Sequence, residues 1–204
     1  TAAGIAALEP LAAAGVPLNV TLLFTHAQVE QARDAVWRGA SRLPSLASFK
    51  SVYSVFVSRV DVWATKQAPD LSAAARGQTA IVNAKRIWNA NRVFWERHPT
   101  PLAQSMVFAS TGVKEAGVDP CLYVAALAGS DIQTNPPATN RAADESGRVF
   151  TRQVDQLPPA DVLAELDSRI DVSRMGAELM AEGIAKFVSP QHDLLALVGT
   201  KRSA

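Results

Sequence analysis

The chain has 204 residues, 48% of them hydrophobic, and a formal net charge of +1. That balance fits a globular protein with a real core and excludes the strong charge expected of a binder of nucleic acid or membrane surface. The single cysteine, Cys121, excludes an internal disulfide and fits a reducing compartment. No run approaches the ~18 apolar residues of a membrane span, and the first residues lack the basic and apolar regions of a signal peptide.

A first helix is predicted over 3–14, with Ile5, Leu8 and Ala12 on one stripe, weakened by Pro10 and ended by Gly15. Thr1 leads that helix, which argues against an N-terminal nucleophile. Residues 19–24 read as a short buried strand. Alternation puts Asn19, Thr21 and Leu23 on one face and Val20, Leu22 and Phe24 on the other. Polar groups on a buried strand face need partners. Asn19 and Thr21 therefore either satisfy each other or nearby backbone, or line a site. Thr25 and Gln28 have the spacing of a capping box, and a helix over 26–38 with Val29, Ala32 and Val36 inward follows.

After a loop over 39–49, the second strand is predicted at 51–57. Ser54 and Phe56 share one of its faces; Tyr53, Val55 and Val57 share the other. Ser58 and Arg59 stand at its end, before a helix from Val60 to Lys66. A long helix is predicted over 72–97, its stripe of Ile81, Ala84, Trp88, Asn91 and Trp95 reading as core. The third strand is 105–109, ending in the small-residue turn Ser110-Thr-Gly-Val-Lys114. A helix at 121–128, a fourth strand at 129–134 and a helix from Pro136-Pro137 to about 146 come next. Helices at 160–168, 172–188 and 191–198 close the chain. Val172, Met175, Leu179, Ile184, Phe187, Leu194, Leu195 and Val198 form apolar stripes on the last two, which argues that they pack on the body.

Strands alternating with helices imply right-handed crossovers and a parallel sheet. No G-x-G-x-x-G follows a strand, against a dinucleotide fold. Polar residues on strand faces and just past strand ends suit a (β/α)8 barrel, whose sites gather at the C-terminal ends of its strands. A barrel needs eight strands, and four are predicted.

Five segments, in order, resemble the transaldolases: Asn19-Val-Thr-Leu-Leu-Phe24, Ser54-Val-Phe-Val-Ser-Arg59-Val-Asp61, Ala80-Ile-Val-Asn-Ala-Lys85, Ala109-Ser-Thr-Gly-Val-Lys114 and Ala181-Glu-Gly-Ile-Ala-Lys-Phe187. The resemblance covers essentially the whole chain. It implies an α/β fold, a parallel (β/α)8 TIM barrel of which residues 1–204 form the second half: strands five to eight and a helical tail over 172–204. It also implies a cytoplasmic enzyme of the non-oxidative pentose phosphate pathway, with no metal or organic cofactor. A lysine would form a Schiff base with the dihydroxyacetone part of a ketose phosphate, sedoheptulose 7-phosphate or fructose 6-phosphate, and the unit would pass to an aldose phosphate. By family order that lysine is expected a few residues upstream of Thr1. Of the lysines present, Lys50 precedes the second strand, Lys66 and Lys85 lie on helices, and Lys114 sits on a loop; none is expected to replace it.

By the same resemblance, Asn19 matches an asparagine that binds the substrate and Thr21 a threonine that holds the catalytic water. Ser54 and Phe56 match residues shaping the pocket; alone, Phe56 would read as core. Arg59 and Ser110 match a phosphate site, for which the planar guanidinium fork is suited. Many relatives carry a second arginine where this chain has Gly112. Lys114 either supplies that charge or is a solvated loop lysine. His26, His98 and His192 show no metal-ligand spacing, and Cys121 reads as structural. Sugar phosphates are the expected ligands, with a complementary N-terminal half or a second copy as protein partner and no nucleic acid or membrane. Two alternatives stand beside transaldolase: a free fructose-6-phosphate-type aldolase, and a half-barrel that serves as a non-catalytic interaction module.

Overall fold

Leu18–Leu23 (β1), Ser51–Phe56 (β2), Ser105–Ala109 (β3) and Ile132–Gln133 (β4) form one parallel sheet in that order. The computed structural model describes residues 1–202; Ser203 and Ala204, the end of the tail expected over 172–204, lie outside the described residues. Ala2–Ala13 (α1) precedes β1, and His26–Ala40 (α2) joins β1 to β2. Ser58–Gln67 (α3) and Thr79–Arg97 (α4) join β2 to β3, and Leu122–Ala126 (α5) joins β3 to β4. Pro137–Glu145 (α6), Ala160–Arg169 (α7) and Val172–Arg202 (α8) follow. Each strand pairs with its neighbour in sequence, the outcome of repeated βα crossovers.

The register sorts the strands into two faces. Val20, Tyr53 and Met106 stand in one row, and Leu23, Val55 and Phe108 in the next. Tyr53, Val55, Met106 and Phe108 are fully buried, in one core with the inward residues of α1, α2 and α4. Val29, Ala32 and Val36 of α2 belong to it, and both reciprocal bonds of the Thr25–Gln28 capping box are present. The opposite face carries Asn19, Val52 and Ser105, then Ser54 and Val107, then Phe56 and Ala109. As apolar strand residues Met106 and Phe108 read as interior positions of a barrel; they lie instead on the helix-covered face.

Leu23 also departs from expectation. The pairing slips between Val20 and Leu23, and Leu22 takes φ 62°. This bulge gives β1 one extra residue and turns Leu23 onto the helix-covered face, away from Asn19 and Thr21. Leu22 is thereby aimed at α8. A Cβ on Gly183 would come within 2.9 Å of Leu22 Cδ1, and one on Gly176 within 2.8 Å of Thr25 Cγ2. The two glycines are two helical turns apart, so they share the face of α8 that docks on β1.

Other boundaries moved for identifiable reasons. The helix expected from 72 begins at Thr79, because Gly77 takes φ 73° and ends the preceding turn. Ser58 and Arg59 belong to the first turn of α3 rather than to a strand end. The helix expected at 121–128 spans five residues, with buried Cys121 as its N-cap. The strand expected at 129–134 pairs over Ile132 and Gln133 alone. The helices expected at 172–188 and 191–198 are one, with Pro190 inside it. Met175 and Leu179 pack on the body, but Phe187, Leu194, Leu195 and Val198 are more than half exposed. The distal stripe of α8 therefore does not cover the body.

Candidate functional site at the carboxyl ends of the strands

Strand polarity gathers several of the residues singled out in the sequence. Asn19 and Thr21 stand exposed on β1. The Ser54 hydroxyl of β2 donates to Asn19 Oδ1 at 2.9 Å, so the polar pair bridges two strands across the open face. Phe56, at the end of β2, packs on buried Phe24 with ring centroids 5.7 Å apart. The chain then enters α3 after a single intervening residue, Val57, which supplies no side-chain cap.

That abrupt entry places Ser58 and Arg59 beside the end of β3. Backbone bonds from Val57 to Ala109 and from Ser58 to Ser110 extend the β2–β3 pairing past both strands. Ser110 takes φ 57°, a left-handed conformation sparsely populated by non-glycine residues. Its Oγ lies 3.0 Å from Ser58 Oγ. The Arg59 guanidinium stands over the Phe56 ring, 5.3 Å from its centroid. Arg59 Nη1 is buried and has no hydrogen-bond partner among the described residues. A buried guanidinium donor without an acceptor is costly, and an oxyanion is the ligand that its geometry fits.

The turn after Ser110 is anchored rather than loose. Thr111 is fully buried and its hydroxyl donates to Asn135 Oδ1 at 2.6 Å. A Cβ at Gly112 would come within 2.9 Å of Pro136 Cγ, so a larger residue there would need that loop to shift. Lys114 lies further out, exposed. Phe56, Arg59 and Ser110 thus stand at the carboxyl ends of the strands, with Lys114 on the adjoining loop. Asn19 lies lower on the same open face, in the row of Val52 and Ser105, and Thr21 and Ser54 stand between the two levels. Lys50 is at the opposite end, its Nζ 3.1 Å from Ser105 Oγ at the start of β3.

Three residues of the quoted segments have roles that periodicity did not assign. Asn83 of α4 donates from Nδ2 to the Phe24 carbonyl at 2.7 Å and fixes the exit of β1. Ser58 is the partner of Ser110. Asp61 accepts from the Ala80 amide and the Tyr123 hydroxyl. Burial pushes the Asp61 carboxyl up to about 6, although both hydrogen bonds pull it down. Lys85, the one buried lysine among the described residues, has its amine pulled down by burial and donates to the Gln156 carbonyl at 2.7 Å. It opens on a different cavity of about 470 Å³ lined also by Asp119, Arg148 and Phe150.

The chain is similar to known proteins over nearly its whole length. The family described as Transaldolase/Fructose-6-phosphate aldolase matches residues 1–198. A Neisseria gonorrhoeae protein named Transaldolase is 36% identical, over 96% of this chain and 59% of its own length. Transaldolase 1 of Streptomyces coelicolor is 33% identical over 97% of this chain and 57% of its own. The Thermobifida fusca Transaldolase is 32% identical over 100% of this chain and 61% of its own. The chain thus spans about three fifths of the length of these relatives.

Proposed function

The chain belongs to the transaldolase/fructose-6-phosphate aldolase family, and from that premise we propose that residues 1–204 supply strands five to eight and the closing helices of one (β/α)8 barrel. Three features support this reading. The four strands run parallel in sequence order. One sheet face is half open, with Asn19 and Thr21 exposed on it. The distal stripe of α8 is more than half exposed. A barrel closes its sheet and fills its interior with layers of side chains, so both surfaces have a place in the completed fold.

In that barrel, the reaction is Schiff-base transfer of a dihydroxyacetone unit from a ketose phosphate to an aldose phosphate. The lysine that forms the Schiff base lies upstream of Thr1. Asn19 binds the held unit and Thr21 orients the water that relays protons. Ser54 and Phe56 shape the pocket, while Arg59 and Ser110, with Lys114 at the rim, take the phosphate. The observation that carries this assignment is the buried, unpartnered Nη1 of Arg59, the residue that follows Ser58, whose hydroxyl pairs with that of Ser110. The setting is the pentose phosphate route in the cytoplasm, and no metal or organic cofactor takes part. A free aldolase, which the family description also covers, differs only in releasing the three-carbon unit. A coupled assay with and without an aldose phosphate separates the two.

The test uses the 204-residue chain. Borohydride with fructose 6-phosphate should trap no adduct on it, because the lysine is not among these residues. Light scattering should show association, since β1 and β4 leave open edges. A monodisperse monomer carrying a borohydride-stable sugar adduct would overturn both the upstream lysine and the half-barrel.

A further inference from the structure

The first turn of α3 is clamped at two points. Ser58 and Asp61 are three residues apart and share one face of the helix. Ser58 is tied to the end of β3 through the Ser110 carbonyl and hydroxyl. Asp61 is tied to two other helices: Oδ1 accepts the Ala80 amide at 2.9 Å, and Oδ2 accepts the Tyr123 hydroxyl at 2.7 Å. Ala80 stands in the first turn of α4, whose N-cap Gln78 makes no side-chain cap bond. A carboxylate borrowed from α3 does that work instead. Arg59 lies between the two clamps, turned about 100° from Ser58 around the helix.

We propose that Asp61 is the positioning residue of the anion site: its carboxylate, accepting from α4 and α5 together, holds the first turn of α3 so that Arg59 meets an oxyanion already aimed. The proposal rests on the assignment of Arg59 and Ser110 to phosphate. Its geometry has a chemical consequence. Holding this carboxylate away from water raises its proton affinity, and Glu115 on the loop before α5 adds to the rise, so it titrates near pH 6. Tyr123, itself driven well above its ordinary value by burial and by the Asp61 charge, stays a donor. The groups facing Asp61 are thus the Ala80 amide, the Tyr123 hydroxyl and Glu115. Protonating Asp61 replaces two charge-assisted hydrogen bonds by neutral ones about half as strong, and the clamp on the Arg59 turn loosens.

Sulfate is the probe, because its charge stays constant between pH 5 and 8 and inorganic phosphate's does not. Sulfate is titrated against the 204-residue chain across that range, at temperatures where circular dichroism shows each variant folded. Wild-type affinity should fall roughly three- to tenfold as the pH drops through about 6. Asp61→Asn should bind at the weak level throughout, with no step. Tyr123→Phe should keep a step but move its midpoint to higher pH, since the tyrosine bond favours the charged form. Arg59→Ala should abolish sulfate binding at every pH. If Arg59→Ala binds like wild type, the anion-site reading fails, and the Asp61 proposal falls with it. If Arg59→Ala abolishes binding but wild type and Asp61→Asn share one pH profile, the Asp61 proposal alone is overturned. Should Asp61→Asn not fold, an unmoved midpoint in Tyr123→Phe overturns it equally.

Discussion

The two faces of the sheet are built from different kinds of residue. Under the helices lie Tyr53, Val55, Met106 and Phe108, fully buried and mostly apolar. On the other side stand Asn19 and Thr21, exposed, with the Ser54 hydroxyl bonded to Asn19 and Phe56 only partly covered. Side chains one position apart along a single strand thus belong to different physical regimes. On the covered face a side chain is held by many contacts and its removal leaves a void. On the open face a side chain contributes little to folding, and its chemistry is free to be set by a ligand.

The strongest way to break that contrast is Phe108→Ala. It should lower the unfolding free energy by about 3–5 kcal/mol, read from the urea midpoint; a loss below ~1 kcal/mol would mean the covered face is not the structural one. Next is Arg59→Ala in the assembled enzyme. It should weaken phosphorylated substrates by roughly 1.5–3 kcal/mol while leaving stability within about 0.5 kcal/mol. Equal losses for phosphorylated substrates and for dihydroxyacetone would refute the phosphate assignment. Thr21→Val should leave stability within about 0.5 kcal/mol and lower kcat more than it raises KM. A change in KM alone would move Thr21 from water holding to substrate binding.

A subtler contrast is in pH. Asp61 has a folded-state carboxyl near 6 against an ordinary 3.8, because burial opposes its charge. Its contribution to stability is therefore present below about pH 4 and is lost as the pH rises through 6. Asp61→Asn should remove that decline from a series of melts between pH 4 and 7. An unchanged slope would mean that the carboxylate is solvated after all.

Much of this fold was legible because its signals are local. Alternation found β1, β2 and β3, and the Thr25–Gln28 spacing found the start of α2 to the residue. What was not legible depended on tertiary partners. Alternation assumes a regular pleat, so it could not see the bulge that turns Leu22 and Leu23. Helix propensity carried the expected α4 through Ala73, Ala74 and Ala75, where Gly77 closes a separate turn. A proline inside a helix removes one bond, and α8 continues through Pro190 regardless. Its distal stripe shows that apolar periodicity predicts a face without predicting what covers it. The site positions came through resemblance and strand parity. Ser58, Asp61 and Asn83 lay in the same segments, but a serine, an aspartate and an asparagine on helices carry no periodic signal. Only their partners, Ser110, Tyr123 and Phe24, give them meaning.

The glycine-mediated contact between α8 and β1 bears on the order of assembly. Each later strand pairs with the one made just before it, so the sheet can be laid down by successive βα crossovers. The contact of Gly176 with Thr25 and Gln28, and of Gly183 with Leu22, joins residues far apart in sequence, 148 positions for Gln28 and Gly176. Its loop-closure cost is compensated only when the rest is in place. In pulse-labelled hydrogen exchange, β2 and β3 should gain protection before the proximal half of α8, and the reverse order would show that α8 seeds the fold. The carboxyl-terminal helix is then the latch of this chain: it shuts on the first strand after the sheet between them exists, and the bulge at Leu22 is the catch it closes on.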